Sequence, residues 1–217
     1  LFTAPLQQYL LKRYYYHTQL QASFFNTLDA MPEVYRRSSP YQKIDMVKIP
    51  STRQSLVNPL RSAYSKKFTQ DLTYPINHRM FINGDFQLST SYAEFYHEYL
   101  VHVPIIANGK IPENVLVIGA GDGLLAAELL KYSEVESITQ VELDPEVIAL
   151  AQDNDVLKQI NKDVYSDSRV KLVIGDGFQY LRENTLQYDA IYLDVPIPND
   201  YNLSKLYSRE FFTFVYE

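Results

Sequence analysis

Four acidic side chains stand where a short apolar run stops: Asp122, Glu142, Asp176 and Asp194. Carboxylates accept hydrogen bonds from hydroxyl and amino groups, attract cations, and can take a proton from a reacting group. Asp122 lies in the turn Gly119-Ala120-Gly121-Asp122-Gly123, between the apolar run Val115–Ile118 and the helical run Leu124–Leu130. Glycine in such a turn lets the backbone bend tightly and come close to a ligand, which a Cβ would obstruct. The helix start beyond it offers unpaired N–H groups at the positive end of a dipole. Glu142 ends the run Ile138–Val141, at about the distance downstream where an acid takes ribose hydroxyls in such folds. Asp176 sits in Gly175-Asp176-Gly177 after Val170–Ile174, and Asp194 ends Tyr188–Leu193. Together these residues predict a nucleoside-binding site.

The acids must be held by strands. Apolar runs without polar alternation read as strands buried on both faces, as in a parallel sheet. Helical patterns between them place all four acids at carboxyl ends, where open α/β sheets bind ligands. Asp144-Pro145 opens a helix to about Ala151, and another begins at Gly177. Asp153–Asp167 is polar and helical or irregular, and Val195-Pro196-Ile197-Pro198 is a rigid loop. The expected sheet has four or five parallel strands.

The preceding segment has a different texture. Residues 3–30 carry apolar residues at roughly helical spacing, with Tyr14-Tyr15-Tyr16 read as packing. Val34–Arg37 and Gln42–Ile49 alternate as strands around a Ser38-Ser39-Pro40 turn, and Ser51–Ser65 reads as a loop. Asn83-Gly84 between Met80–Ile82 and Asp85–Ser89 is a hairpin signal. Thr90 and Ser91 can cap a helix to about Val101, which carries Tyr96 and His97 about 100° apart. His97 alone reads first as a structural residue. The predicted organisation is a helical lead-in over 1–33, a small β-rich domain over 34–103 and a Rossmann-like domain over 104–217. The fold class is α/β, a Rossmann-like class I methyltransferase-type parallel sheet preceded by the β-rich domain.

The chain has 217 residues and no cysteine, which excludes disulfides, a thiolate nucleophile and a Cys-based zinc site. No signal peptide and no run of 18 apolar residues is present. Residues 1–80 carry 11 Lys/Arg against 4 Asp/Glu, net +7, and residues 81–217 carry 9 against 22, net −13. An acidic half around the site favours a cationic ligand and disfavours nucleic acid. The chain opens on Leu1 and stops soon after Leu206-Tyr207-Ser208, so it is expected to be a piece of a longer protein with a sheet cut short.

Tyr41-Gln42, Asn83-Gly84-Asp85-Phe86-Gln87, Tyr96-His97-Glu98, Gly119-Ala120-Gly121-Asp122-Gly123, Val141-Glu142-Leu143-Asp144, Gly175-Asp176-Gly177-Phe178 and Leu206-Tyr207-Ser208 occur in a telling order. Over residues 34–215 it resembles that of the spermidine synthases, the polyamine aminopropyltransferases. The Asn-Gly-x-x-Gln form and Lys205-Leu206-Tyr207-Ser208 look most like the branch whose synthase domain follows a membrane-spanning region.

The resemblance implies decarboxylated S-adenosylmethionine as co-substrate, with no tightly bound cofactor and no metal. Glu142 would hold the ribose hydroxyls and Asp176 the adenine amino group. Gly119, Gly121, Gly177 and Gln42 would add to the nucleoside side, and Gln87 and Asp122 would face the amine of the aminopropyl arm. Asp194 matches the base-carrying Asp of the family's Asp-x-x-Asp-Pro motif and Tyr96 a Tyr that orients the amine, while His97, Asp122 and Tyr207 would line the acceptor's site. One departure stands out. The motif's second Asp is Ile197 here, which removes a charge partner for a buried ammonium. An S-adenosylmethionine-dependent methyltransferase and a nucleoside-binding homologue with little turnover fit the same nucleoside half. The resemblance further implies a homodimer paired through the β-rich part, a polyamine as small-molecule partner, no nucleic-acid partner, and a cytoplasmic domain, in the full-length protein anchored to the inner membrane.

Overall fold

The computed structural model describes residues 33–49, 77–90, 93–196, 198 and 201–216. The expected lead-in helices, the tyrosine run, the 51–65 loop, Ser91 and Ile197 lie outside the described residues. The chain divides into two compact units, residues 1–93 and 94–217.

In the first unit, strands β1 (Glu33–Ser38), β2 (Lys43–Ile49), β3 (Asn77–Ile82) and β4 (Asp85–Ser89) form an antiparallel sheet in that order. Asn83 and Gly84 both take positive φ, 52° and 96°, the backbone of a two-residue hairpin turn whose twist suits the flanking strands. The Asn83 side-chain oxygen also accepts a hydrogen bond from the Lys43 N–H, at 3.0 Å, tying the turn to β2. Val47 and Phe81 are buried, with Val34 packed against them. Asp45 is buried too, and Arg36, its cross-strand neighbour, supplies the ion pair that a buried carboxylate requires.

Helix α1 (Ala93–Asn108) follows. It runs seven residues past the expected end at Val101, and the expected domain boundary at 103/104 falls inside it. Pro104 removes one helical hydrogen bond, but Val101 and Ile105, four residues apart, both bury their side chains in the core of the second unit. Gly109, at φ +70°, closes the helix and donates its N–H to the Ile105 carbonyl at 2.9 Å.

The second unit holds β5 (Asn114–Gly119), β6 (Ser137–Glu142), β7 (Val170–Ile174) and β8 (Ala190–Asp194), all parallel, in the order β7-β6-β5-β8. The helices are α2 (Leu124–Leu129), α3 (Pro145–Asp153), α4 (Asp155–Ile160), α5 (Gly177–Glu183), α6 (Tyr201–Ser204) and α7 (Arg209–Tyr216), with 3₁₀ turns at Val164–Ser166 and Lys205–Tyr207. β5 shows why its sequence does not alternate. Val115 and Val117 pack on one face with Val101, Leu125 and Leu129, while Leu116 and Ile118 pack on the other with Leu181 and Phe211. Both faces are covered, which makes this a doubly wound α/β sheet. β6 differs from its apolar reading, since Thr139 and Gln140 are buried among its members. The strand order reverses direction between β5 and β8, which places a ligand crevice beyond their carboxyl ends.

Candidate active site

β5 and β8 are neighbours in the sheet, and their ends nearly touch. A Cβ on Gly119, whose φ is +85°, would lie 2.0 Å from the Asp194 carbonyl oxygen, which instead accepts the Ala120 N–H at 3.2 Å. Glycine at this position is what lets the turn carrying Asp122 fold over beside Asp194. Gly121 serves the next strand end, since a Cβ there would come within 2.8 Å of a Glu142 carboxylate oxygen.

Three polar side chains hold the turn from behind. The buried Gln140 amide donates to the carbonyls of Gly119 and Ala120, at 3.0 and 2.6 Å. Asn161 donates to the carbonyl of Asp122 at 2.9 Å, and the Tyr165 hydroxyl donates to that of Gly121 at 2.9 Å. None of the three stood out as functional in the sequence. For Gln140 a signal existed, a polar amide inside a run read as a buried strand. Asn161 and Tyr165 come from a polar stretch that gave none.

Asp122 is buried, and its carboxylate accepts the N–H of Leu124, the first residue of α2, at 2.9 Å. Burial pushes its carboxyl above the usual range; His97 pulls it back and Asp194 adds to the rise. The His97 ring, itself buried, holds Nε2 3.9 Å from an Asp122 oxygen and 3.6 Å from an Asp194 oxygen. The ring thus lies between two carboxylates, a setting that its position in the sequence alone did not show. Tyr96 donates its hydroxyl to the other Asp194 oxygen at 3.0 Å, and its ring meets His97 edge to face. Burial, with the nearby Asp194 charge, raises the Tyr96 hydroxyl to about 12, so it remains a donor through the neutral range. Both residues sit early on α1, which is tied to α2 through His102: its ring nitrogens lie 2.7 Å from the Tyr132 hydroxyl and 2.9 Å from a Glu128 oxygen. Tyr207 donates toward the carbonyls of Val195 and Pro196, at 3.3 and 3.0 Å, and so braces the loop that follows Asp194.

Along the sheet, Glu142 ends β6 and accepts the Asp144 N–H at 2.9 Å. Burial raises its carboxyl to about 7 against that bond. Asp176 follows β7 and caps α5, accepting the N–H groups of Phe178 and Gln179 through one oxygen while Lys205 meets the other. Burial alone would raise the Asp176 carboxyl, but Lys205 and the backbone N–H groups hold it below the usual range. Gly177 has a packing reason of its own, since a Cβ would strike Ile118 Cγ2 at 2.5 Å. Gln42 and Gln87 belong to the first unit. Gln42 accepts the Ser39 N–H through its backbone carbonyl, and Gln87 turns its amide onto the Asp85 carbonyl at 3.3 Å.

The second unit therefore brings Tyr96, His97, Asp122 and Asp194 into one cluster and sets Glu142 and Asp176 at the carboxyl ends of the next strands along the sheet. One end, at Asp122 and Asp194, can hold a cation and accept a proton. The other, at Glu142 and Asp176, offers acceptors to hydroxyl and amino groups.

Comparison with known proteins points the same way. The family model described as the spermine/spermidine synthase domain matches residues 93–217. The polyamine aminopropyltransferase of Oceanobacillus iheyensis is 44% identical over 137 residues, 63% of this chain and 27% of that protein. The polyamine aminopropyltransferase of Sulfolobus acidocaldarius is 35% identical over 153 residues, 70% of this chain and 49% of that protein. The chain thus spans about a quarter to a half of the length of these relatives. A crystal structure of spermidine synthase in complex with the transition state analogue AdoDATO superposes with a TM-score of 0.66 at 27% identity, covering 88% of this chain and 57% of that one.

Proposed function

This chain belongs to the spermine/spermidine synthase family, and from that premise we propose that it moves the aminopropyl group of decarboxylated S-adenosylmethionine to a putrescine-like amine, releasing 5′-methylthioadenosine. The observation that carries this reading is Asp194 in the crevice, hydrogen-bonded by Tyr96 and within 3.6 Å of His97, with Asp122 close by.

The chemistry asks little beyond alignment and a neutral nucleophile. The amine nitrogen forms a bond to the methylene carbon next to the sulfonium. The C–S bond breaks, and its electron pair stays on sulfur as the neutral thioether. A free alkylamine is almost wholly protonated near pH 7, so a carboxylate must take its proton before attack. Asp194 has that role, Tyr96 orients Asp194 and the amine, and His97, Asp122 and Tyr207 complete the amine side. Glu142 takes the ribose hydroxyls and Asp176 the adenine amino group. Gly119, Gly121 and Gly177 give the backbone its close approach, and the family resemblance adds Gln42 and Gln87. Ile197, where the family carries a second Asp, favours acceptors that place no charge at that point.

The proposal extends to a homodimer paired through the β-rich part. It further extends to a cytoplasmic position for this domain behind a membrane-spanning region, which the Lys205-Leu206-Tyr207-Ser208 form supports. Among the described residues no helix is long and apolar enough to cross a membrane. Sedimentation at twice the 25.2 kDa chain mass is expected for the dimer, and sedimentation at the single mass would contradict it.

The test of the reaction class is a comparison of two sulfonium donors. Turnover with decarboxylated S-adenosylmethionine and an amine, and none with S-adenosylmethionine, is the expected result. Methyl transfer from the carboxylated donor would overturn the proposal.

A further inference from the structure

The crevice is acidic, yet it contains a lysine. Lys205 stands in the 3₁₀ turn Lys205–Tyr207 and sets its ammonium 2.5 Å from Asp176 Oδ2 and 5.7 Å from the centre of the Phe178 ring. A fixed positive charge beside a cationic ligand would repel it. Among the described residues Asp122, Glu142 and Asp194 form no ion pair with a Lys or Arg, and the neighbouring base of Asp122 and Asp194 is His97. Positive charge is thus confined to the one carboxylate at the end assigned to a neutral heterocycle.

We propose that Asp176 and Lys205 form an acceptor–donor pair that reads the amino-bearing edge of a purine, making Lys205 a specificity-determining residue of the nucleoside end. The inference rests on the nucleoside reading above and deepens it. Asp176 Oδ1 is occupied by the Phe178 and Gln179 N–H groups, at 2.8 and 3.3 Å, which fixes the carboxylate plane and leaves Oδ2 as the acceptor. Oδ2 has lone pairs for both Lys205 and an exocyclic amino group, and the ammonium keeps donors beyond the one it gives to Asp176. A 6-aminopurine presents an N–H donor beside a ring-nitrogen acceptor, which matches an acceptor beside a donor. A 6-oxopurine puts a carbonyl oxygen where the amino group was, against the carboxylate, and leaves acceptor facing acceptor. Mismatched polar groups of this kind discriminate because an acceptor that loses its donor stays unpaired once the ligand covers it.

The experiment is a calorimetric titration of 5′-methylthioadenosine and 5′-methylthioinosine into the wild-type chain, Lys205→Met and Lys205→Arg, with thermal melts to establish that each is folded. The wild type is expected to prefer the adenosine by about tenfold or more. Lys205→Met should weaken the adenosine by about tenfold and the inosine little, so the preference shrinks, and Lys205→Arg should keep most of it. An unchanged preference in Lys205→Met overturns the inference. So does equal weakening of both ligands, the mark of a structural tie, or tighter binding of both, the mark of a blocking side chain. If the wild type binds neither nucleoside, the nucleoside reading itself fails, and this inference with it.

Discussion

Glu142 ionises in a range that solution work reaches easily. Burial raises its carboxyl from the ordinary 4.5 to about 7, so the fold disfavours its charged form. The stability it contributes is complete below about pH 4.5 and is lost as pH rises to about 7, because the unfolded chain releases the proton first. We therefore predict that Glu142→Gln raises the melting temperature at pH 8 relative to wild type and changes it little near pH 4.5. An equal effect at both pH values would contradict this. In its proposed role toward ribose hydroxyls the carboxylate would accept best when ionised, so nucleoside affinity should rise through pH 7 and flatten in the variant, as calorimetry would read. These acids were legible in the sequence because each stands where an apolar run breaks. The groups that steady them were not. Asn161 reaches back 39 residues to the Asp122 carbonyl, and Gln140 reaches 21 to that of Gly119. Only the packed tertiary fold brings such partners together.

Gly177 shows how α5 is fitted to β5. Its missing Cβ makes room for Ile118, so Gly177→Ala is predicted to destabilise the chain by about 1–3 kcal/mol. Ile118→Ala costs stability alone through its cavity, but the double variant should be more stable than the sum of the two losses implies. Additive losses in denaturant titrations would show that the helix does not rest on that contact. Strand β5 was readable because burial on both faces leaves no polar alternation. The hairpin was readable because Asn-Gly supplies the two positive φ values of the turn. The length of α1 was not, since only the sheet face it covers explains why the helix continues through Pro104.

Charge is distributed over the molecule in a way that should govern which ligands approach. Residues 81–217 carry a net −13, and the crevice within them holds several of those carboxylates. Long-range attraction of a polycation is screened by salt, whereas binding of an uncharged nucleoside is not. Raising salt from about 0.05 to 0.5 M should weaken binding of a polyamine several-fold while 5′-methylthioadenosine binding changes little. Equal salt dependence of the two would remove electrostatics from the account. The charge asymmetry was plain in the sequence.

In the mechanism we propose, Asp194 accepts the amine's proton during aminopropyl transfer. The most direct measurement of this step is the amine-dependent release of 5′-methylthioadenosine from decarboxylated S-adenosylmethionine, by wild type and Asp194→Asn, over a panel of diamines and polyamines. Release should need the amine, and kcat should fall by about 10²–10⁴-fold in the variant, with nucleoside affinity retained. Release that persists undiminished in Asp194→Asn, or no release by a wild type that still binds the nucleoside tightly, would contradict the mechanism.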